Sequence, residues 1–516
     1  MNTSLNTPLA LELRHVTKVF GTIVANDDVE MDLRRGEVLA ILGENGSGKT
    51  TLMNMISGIY HPDAGEIYIN GEHVTIASPK DAFHHGIGMV HQHFKLVDLF
   101  TATENIVLGI KEEKFNIKKS AEKVASIAER YGFILDPNKK IYEMSVSEKQ
   151  TVEIIKVLYR GADILILDEP TAVLTPQETE KLFNVIRRMR DDGKSIMIIT
   201  HKLHEVMAIS DRVAVLRKGK HIATVNTSET TQNELTEMMV GKRVSLNIAR
   251  AQLENTPERL IVNNLCLKNY EGVSILDNIS FVAKGGEILG IAGVAGSGQR
   301  ELLEIIAGLQ IPSEGSIEYR DPKEGKAVDL RSKTPMQIRD LGVRLSFVPE
   351  DRLGMGLVGN MDIIDNMMLR SYRKGKTVFV DRQPPKALAD RIISSLQVVT
   401  PSAKTAVRKL SGGNVQKVLV GREIAAAPTV LMAAYPVRGL DINSSYMIYN
   451  LLNEQKENGV AVIFVGEDLD VLLELCDRIM VICGGRVTGV LDGRTAKKEE
   501  VGLLMTKAKG GEQHGE

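Results

Sequence analysis

Apolar runs, glycine-rich turns and amphipathic segments alternate along this chain of 516 residues. Residues 38–43, 162–169 and 194–200 each predict a buried strand, because each contains at least four consecutive apolar residues. Between the last two strands, helical spacing places four apolar residues on one face: Leu182, Val185, Ile186 and Met189. Strands that alternate with helices predict a mostly parallel α/β sheet.

Two other segments have different patterns. Residues 111–162 contain many Glu, Lys, Ala and Ile residues and no strand pattern before the last few, so we expect a helical subdomain there. The residues ahead of the first buried strand alternate between polar and apolar and contain a turn, which predicts an antiparallel β part.

The second half of the chain repeats the first. Gly43 matches Gly293 at an offset of 250 residues, and Ser145 matches Ser411 at an offset of 266, so the second copy carries a net insertion of 16 residues. We therefore predict two domains of one fold, at residues 1–243 and 260–507. Residues 244–259 are predicted to be a linker and residues 508–516 a disordered tail.

Composition narrows the class of protein. The chain has 43% hydrophobic and 25% charged residues with a net charge of −2, so nothing predicts a nucleic-acid partner. Its three cysteines form no CxxC pair, and no apolar run reaches the 18 or more residues that a membrane span needs. The first ten residues lack the basic and apolar regions of a signal peptide.

A phosphate-binding loop follows the first buried strand. GENGSGKT fits GxxxxGK[ST] in full, between a predicted strand and a predicted helix. In such a loop backbone N–H groups surround the phosphates, the lysine reaches the β- and γ-phosphates, and the last hydroxyl binds Mg²⁺. The predicted nucleotide-binding residues are Gly43, Glu44, Asn45, Gly46, Ser47, Gly48, Lys49, Thr50 and Thr51, with Thr50 also a magnesium ligand.

Two carboxylates end a later buried strand, in ILILDEP at residues 164–170. Charges placed there would be costly without a cation or a reaction to serve. Asp168 is predicted to hold Mg²⁺, directly or through water, and Glu169 to polarise the attacking water.

Together these motifs resemble the ATP-binding-cassette family over nearly the whole chain. The resemblance implies that Phe20 stacks on adenine, that His201 contacts the γ-phosphate, and that Gln92 senses both the γ-phosphate and a permease and binds Mg²⁺. The family signature LSGGQ appears in the first copy only as MSVSE, where Val146 and Ser147 replace both glycines. Their side chains would obstruct the close backbone approach that a phosphate needs.

The second copy lacks the catalytic groups and keeps the signature. Gln299 replaces the P-loop lysine and Arg300 the threonine, while Ala434, Tyr435 and Glu467 replace Asp168, Glu169 and His201, and Glu350 stands at the Gln92 position. LSGGN at residues 410–414 is intact, with Ser411, Gly412 and Gly413 as nucleotide-binding residues. In the resembled family two cassettes face head to tail, so the intact P-loop would pair with the intact signature. This implies one working composite ATP site and one retired site.

The resemblance extends to function. GSGQR and VPEDR in the second half resemble the ribose/galactose-type importer ATPases, and MVHQHFKLVDLFTATENIVLG resembles their nucleoside-uptake branch. Ser147 and Tyr435 depart from that branch. The resemblance implies ATP and Mg²⁺ as cofactors and a peripheral position on the cytoplasmic face of the membrane. It also implies two integral-membrane permease subunits and an extracytoplasmic solute-binding lipoprotein.

Alternatives remain for the cargo and for the class of protein. A simple sugar and a ribityl compound such as riboflavin compete with a nucleoside. A translation ATPase would have a long charged linker and two working sites, and a DNA-repair ATPase would have zinc-binding CxxC insertions. The sequence shows none of these features.

Overall fold

The computed structural model describes most of the chain. The described residues are 8–91, 94–110, 116–171, 174–200, 202–241, 248, 250–254, 256–269, 271–294, 296–322, 325–347, 356–372, 380–425, 427–438, 440, 442–466 and 468–506. The chain forms two compact units, the first ending at residue 245 and the second beginning at residue 246. None of the helices in these ranges combines the length and apolarity needed to cross a bilayer.

The first unit begins with an antiparallel sheet. Its inner face is apolar at alternate positions, and Leu11, Leu13 and Val16 of the first strand are buried while the intervening polar residues reach the surface. The four strands lie in the order β2-β1-β4-β5. Their bounds are β1 (Leu9–Phe20), β2 (Ile23–Arg34), β4 (Ala64–Ile69) and β5 (Glu72–Val74).

A six-stranded sheet forms the centre of the first unit, in the order β10-β9-β3-β8-β7-β6. Every pair in it is parallel except β9 with β10. The continuous apolar runs of the sequence become strands buried on both faces, as parallel sheets require. The bounds are β3 (Val38–Leu42), β6 (Ile87–Val90), β7 (Ile164–Asp168), β8 (Ser195–Ile199), β9 (Arg212–Arg217) and β10 (Lys220–Asn226).

Helices cover this sheet and form a separate helical layer. The four apolar residues predicted on one helix face are all buried in α6 (Pro176–Asp191). The predicted helical subdomain corresponds to α4 (Ile117–Tyr131) and α5 (Val146–Tyr159), and it also includes α3 (Ala102–Val107), which begins earlier in the chain. The helices are α1 (Lys49–Ile56), α2 (Pro79–His84), α3 (Ala102–Val107), α4 (Ile117–Tyr131), α5 (Val146–Tyr159), α6 (Pro176–Asp191), α7 (Leu203–Ile209) and α8 (Gln232–Val240), with 3₁₀ turns at Ile141–Glu143 and Thr227–Glu229.

The second unit repeats this architecture strand for strand. Its antiparallel sheet has the order β12-β11-β14-β15, and its larger sheet has the order β16-β17-β18-β13-β19-β20, with only β19 and β20 antiparallel. The strands are β11 (Glu258–Lys268), β12 (Ser274–Lys284), β13 (Glu287–Ala292), β14 (Glu314–Arg320), β15 (Ala327–Asp329), β16 (Val343–Phe347), β17 (Val430–Ala434), β18 (Ala461–Val465), β19 (Arg478–Cys483) and β20 (Arg486–Asp492).

The helices of the second unit follow the same sequence of elements. The described ones are α9 (Gln299–Ile306), α10 (Pro335–Asp340), α11 (Ile363–Met368), α12 (Gln383–Ser395), α13 (Gly412–Ile424), α14 (Ile442–Glu457), α15 (Leu469–Leu475) and α16 (Lys498–Thr506), with 3₁₀ turns at Leu330–Ser332 and Val407–Lys409. The predicted fold class, two domains that each combine a mostly parallel sheet with an antiparallel part and a helical subdomain, is confirmed.

The net insertion of 16 residues in the second copy is spread over three places. Equivalent residues of the two units show the offset rising from 250 to 256, then to 261, and finally to 266, so the steps are six, five and five residues. The equivalent pairs are Pro79 and Pro335, Asn105 and Asn366, and Ser145 and Ser411. Each step falls between two of the described elements, where added residues leave the sheets unchanged.

The residues just after the unit boundary pack on the second unit. Ile248 belongs to its apolar core, and its N–H donates to Oε1 of Glu474 at 3.4 Å. The guanidinium of Arg250 donates to the carbonyl of Leu473 at 3.2 Å. This part of the predicted linker 244–259 is therefore attached to the second unit.

Candidate active site

The P-loop of the first unit connects β3 to α1 in the conformation that its glycines allow. Gly46 and Gly48 have φ values of 80° and 96°, a left-handed region that favours glycine. A Cβ atom on Gly48 would lie 2.5 Å from the carbonyl oxygen of Ala25 and 2.7 Å from Nδ2 of Asn26, so no side chain fits there. The loop therefore closes tightly at the N-terminus of α1, where its amides can surround an anion.

Lys49 is buried against its own loop. Its Nζ donates to the carbonyl oxygens of Gly43 at 2.6 Å and Glu44 at 3.0 Å. Burial lowers the pKa of the Lys49 ammonium below its ordinary value, whereas the carboxylates of Glu169 and Asp168 act in the opposite direction. The fold thus brings the P-loop lysine and the acidic pair together in one site.

The acidic pair lies at the carboxyl end of the parallel sheet. Asp168 is the last residue of β7, and the N–H of Glu169 donates to the carbonyl of Ile199 at the end of β8, at 2.9 Å. Glu169 has a φ of 46°, a backbone conformation that costs about 1 kcal/mol or more in a residue other than glycine. Strain of this kind persists where the surroundings hold a side chain in one direction, as active sites require.

A buried hydroxyl beside the loop fits the phosphates of a bound nucleoside triphosphate. Among the described residues, the hydroxyl oxygen of Ser47 is buried and has no hydrogen-bond partner. A phosphate oxygen would accept from the Ser47 hydroxyl and from the loop amides. The exposed ring of Phe20, at the end of β1, lies 5.2 Å from the ring of Tyr60 and leaves an aromatic face for a base to stack on.

Magnesium also fits the donor set. Thr50 is exposed in the first turn of α1, and Asp168 lies at the sheet edge close enough to affect Lys49. Hydroxyl and carboxylate oxygens are the ligands that Mg²⁺ prefers. The two other sequence-predicted groups, Gln92 and His201, lie outside the described residues.

Asn26 belongs to no sequence motif of the first unit. It is fully buried in β2, and its Nδ2 donates to the carbonyl oxygen of Gly48 at 3.3 Å. The offset of 250 places Leu276 at the equivalent position of the second copy. An asparagine in one copy and a leucine in the other, within a strand of otherwise similar pattern, was the signal that could have revealed it.

The second unit keeps the scaffold of this site without its chemical groups. Gly298 has a φ of 101°, and the amide of Gln299 donates to the carbonyl of Val294 at 3.2 Å, as Lys49 does to Glu44. Tyr435 has a φ of 52°, and its N–H donates to the carbonyl of Val465 at 2.8 Å. The backbone at Tyr435 therefore matches the backbone at Glu169 of the first unit, but Ala434 and Tyr435 provide no carboxylate.

The two signature segments differ in what their first helical turn presents. In the second unit Ser411 caps α13, and Gly412 is exposed as the first helical residue. In the first unit Ser145 caps α5, and the exposed Val146 stands at the equivalent position. A backbone N–H is open to close approach at Gly412, whereas the side chain of Val146 obstructs it. Glu350 and Glu467 lie outside the described residues.

The comparison with known proteins finds one matching region in each of the two units. The sequence profile of the ABC transporter family matches residues 26–172 and 276–436. The nucleoside import ATP-binding protein NupA of Lactococcus lactis subsp. cremoris is 40% identical over 96% of this chain and 97% of its own. The guanosine import ATP-binding protein NupO of Bacillus subtilis is 41% identical over 96% of this chain and 97% of its own.

A sugar-import relative is nearly as similar. The ribose import ATP-binding protein RbsA 1 of Rubrobacter xylanophilus is 37% identical over 96% of this chain and 98% of its own. These relatives confirm the resemblance to the ribose/galactose-type importer ATPases and their nucleoside-uptake branch. Since one family profile matches both units and the relatives extend over nearly the whole length, the chain belongs to the ABC transporter family and carries two ATP-binding cassettes.

Proposed function

We propose that this chain is the ATP-hydrolysing, energy-coupling subunit of an ABC importer. The observation that supports this most is the grouping of Lys49 with Asp168 and Glu169 around one closed P-loop. Each of the three is a group that phosphoryl transfer needs. The assignment to an importer rests on the similarity to import ATP-binding proteins.

Each residue has a defined part in hydrolysis. The Lys49 ammonium balances the charge of the β- and γ-phosphates, and Glu169 orients and polarises the attacking water. Thr50 and Asp168 would hold Mg²⁺, which would supply positive charge for the phosphate oxygens. By the family resemblance, Gln92 would complete the magnesium site and His201 would contact the γ-phosphate, although both lie outside the described residues.

The second unit supplies the other half of the working site in this proposal. Ser411, Gly412 and Gly413 close over the ATP held by the first unit, since their backbone amides suit a phosphate. The P-loop of the second unit carries out no hydrolysis, because Gln299 brings no charge and Ala434 and Tyr435 bring no carboxylate. The substituted residues lie in the P-loop of the second unit and in the signature of the first unit. In the proposed pairing these two segments form one composite site, so the losses make one site inactive and leave the other intact.

A nucleoside is the proposed cargo. Two of the relatives are a nucleoside import and a guanosine import ATP-binding protein, and the sequence around Gln92 resembles that branch. A simple sugar is the rival because of the ribose relative. The chain works with two permease subunits and a solute-binding lipoprotein, and it lies at the cytoplasmic face of the membrane.

Complementation in the host cell tests both activity and cargo. Cells without this gene receive the wild-type chain or Lys49→Ala, and the uptake of labelled guanosine, ribose and riboflavin is measured. We expect guanosine uptake with the wild type and none with Lys49→Ala. Uptake of ribose or riboflavin alone would show that one of these, and not a nucleoside, is the cargo. Uptake that does not depend on Lys49 would show that the chain is not the ATP-hydrolysing subunit of the importer.

A further inference from the structure

A buried carboxylate outside the ATP motifs lies beside the catalytic segments of the first unit. Glu205, in the first turn of α7, is 3% exposed. The hydroxyl of Thr171 donates to it at 2.6 Å from each carboxylate oxygen, and the hydroxyl of Thr200 donates to Oε2 at 3.2 Å. Nζ of Lys202 lies 3.1 Å from Oε1. A carboxylate this deeply buried is costly unless such donors compensate it, and here three of them do.

The donors belong to the two segments that carry the catalytic groups. Thr171 lies two residues after Glu169, in the loop that follows β7, and Thr200 directly precedes His201 at the end of β8. The same two segments are joined by the hydrogen bond from the Glu169 N–H to Ile199. Glu205 therefore links the two chain segments whose relative position sets the direction of the Glu169 side chain.

The second unit shows that this junction folds without the polar cluster. Its backbone hydrogen bond, from Tyr435 to Val465, is present at 2.8 Å. The residues equivalent to the polar cluster are Val437 for Thr171, Gly466 for Thr200, Asp468 for Lys202 and Val471 for Glu205. Both valines pack against the apolar core of the unit. The Thr171–Glu205 pair is therefore present in the unit that carries the catalytic groups, and two valines replace it in the unit that lacks them.

We propose that Glu205 is a positioning residue for ATP hydrolysis, which holds the Glu169 segment through Thr171 and the segment before His201 through Thr200. This rests on the proposed function of the first unit. An ionised carboxylate offers only acceptors and takes bonds from both threonines and from Lys202 at once. A glutamine at this position would replace one acceptor oxygen with a donor and remove the charge opposite Lys202, so the two segments could shift relative to each other.

Two variants of the assembled transporter test this. Glu205→Gln keeps the size of the side chain, and the double variant Thr171→Val with Glu205→Val reproduces the apolar pair found in the second unit. We expect kcat for ATP hydrolysis to fall about 10- to 100-fold in both, as small displacements of catalytic groups do. KM for ATP, affinity for a fluorescent ATP analogue and the thermal unfolding midpoint should stay near wild type.

The control is Val471→Thr, a change of similar size at the equivalent position of the second unit, which should leave kcat unchanged. The proposal is wrong if both Glu205 variants keep wild-type kcat while Lys49→Ala is inactive. It is also wrong if both variants fail to fold, because the cluster would then be structural. Loss of the proposed function is a separate result, recognised by a wild-type transporter whose ATP hydrolysis does not depend on Lys49.

Discussion

Lys49 and Glu169 lie in one site of the first unit although 120 residues separate them in the sequence. The negative charge of Glu169 raises the pKa of the Lys49 ammonium, against the lowering that burial causes. The carboxylate therefore favours the charged form of the Lys49 ammonium, which is the form that binds phosphate.

Glu169→Gln should abolish ATP turnover while nucleotide still binds. The amide cannot accept a proton from water, and general-base catalysis of this kind contributes about 10²- to 10⁴-fold to the rate. Steady-state hydrolysis and equilibrium ATP binding on the assembled transporter measure the two effects separately. Turnover near wild type would exclude Glu169 as the base and, with it, the single-site mechanism.

Gln299→Ala should change ATP hydrolysis by less than a few-fold, because the P-loop of the second unit is proposed to perform no chemistry. Its buried side chain donates only to Val294 among the described contacts, and thermal unfolding shows whether the variant stays folded. A hundredfold fall in kcat corresponds to about 2.7 kcal/mol of barrier and would show that this loop takes part in the reaction.

Gly412→Asp should be as damaging as Lys49→Ala although it lies in the other unit. An aspartate at the start of α13 would place negative charge and bulk where the backbone is proposed to meet the γ-phosphate. ATP hydrolysis on the assembled transporter measures the effect, and thermal unfolding shows whether the variant is folded.

The matched control for Gly412→Asp is Val146→Asp, at the equivalent exposed position of α5. It should be much milder, since Val146 belongs to the retired site in the proposed pairing. Full turnover with Gly412→Asp and none with Val146→Asp would reverse the pairing of P-loops and signatures.

Asn26→Leu should weaken ATP binding and leave the fold intact. The change removes the hydrogen bond that holds the Gly48 carbonyl, so the P-loop should keep its phosphate-binding conformation less well. KM for ATP should rise by up to about fivefold, the factor that corresponds to the full loss of a bond worth about 1 kcal/mol. The unfolding midpoint should not fall, because the change removes the buried Oδ1 of Asn26, which has no hydrogen-bond partner among the described residues. A leucine, Leu276, already occupies the equivalent position of the second unit.

The control for Asn26→Leu is Leu276→Met, a volume-conserving change at the equivalent position of the second unit, which should not affect KM. An unchanged KM in Asn26→Leu would show that Asn26 is a structural residue of β2 and has no part in shaping the P-loop.

The sequence alone determined the repeat, the fold class and the motif residues of the first P-loop. These features are local: a strand, a loop and a helix follow one another within about twenty residues, and strand burial on both faces leaves a continuous apolar run. The missing lysine and carboxylates of the second copy are also visible as single substitutions at a fixed offset.

Only the tertiary structure decided which distant residues meet. The order of strands in the sheet brings the end of β7 next to the end of β8, which sets the strained backbone of Glu169 and its bond to Ile199. Asn26 and Glu205 carry no motif, since each acts through side-chain contacts with residues elsewhere in the chain. Such contacts depend on how the connections between strands order the strands in the sheet, and the spacing of residues along the sequence does not encode them.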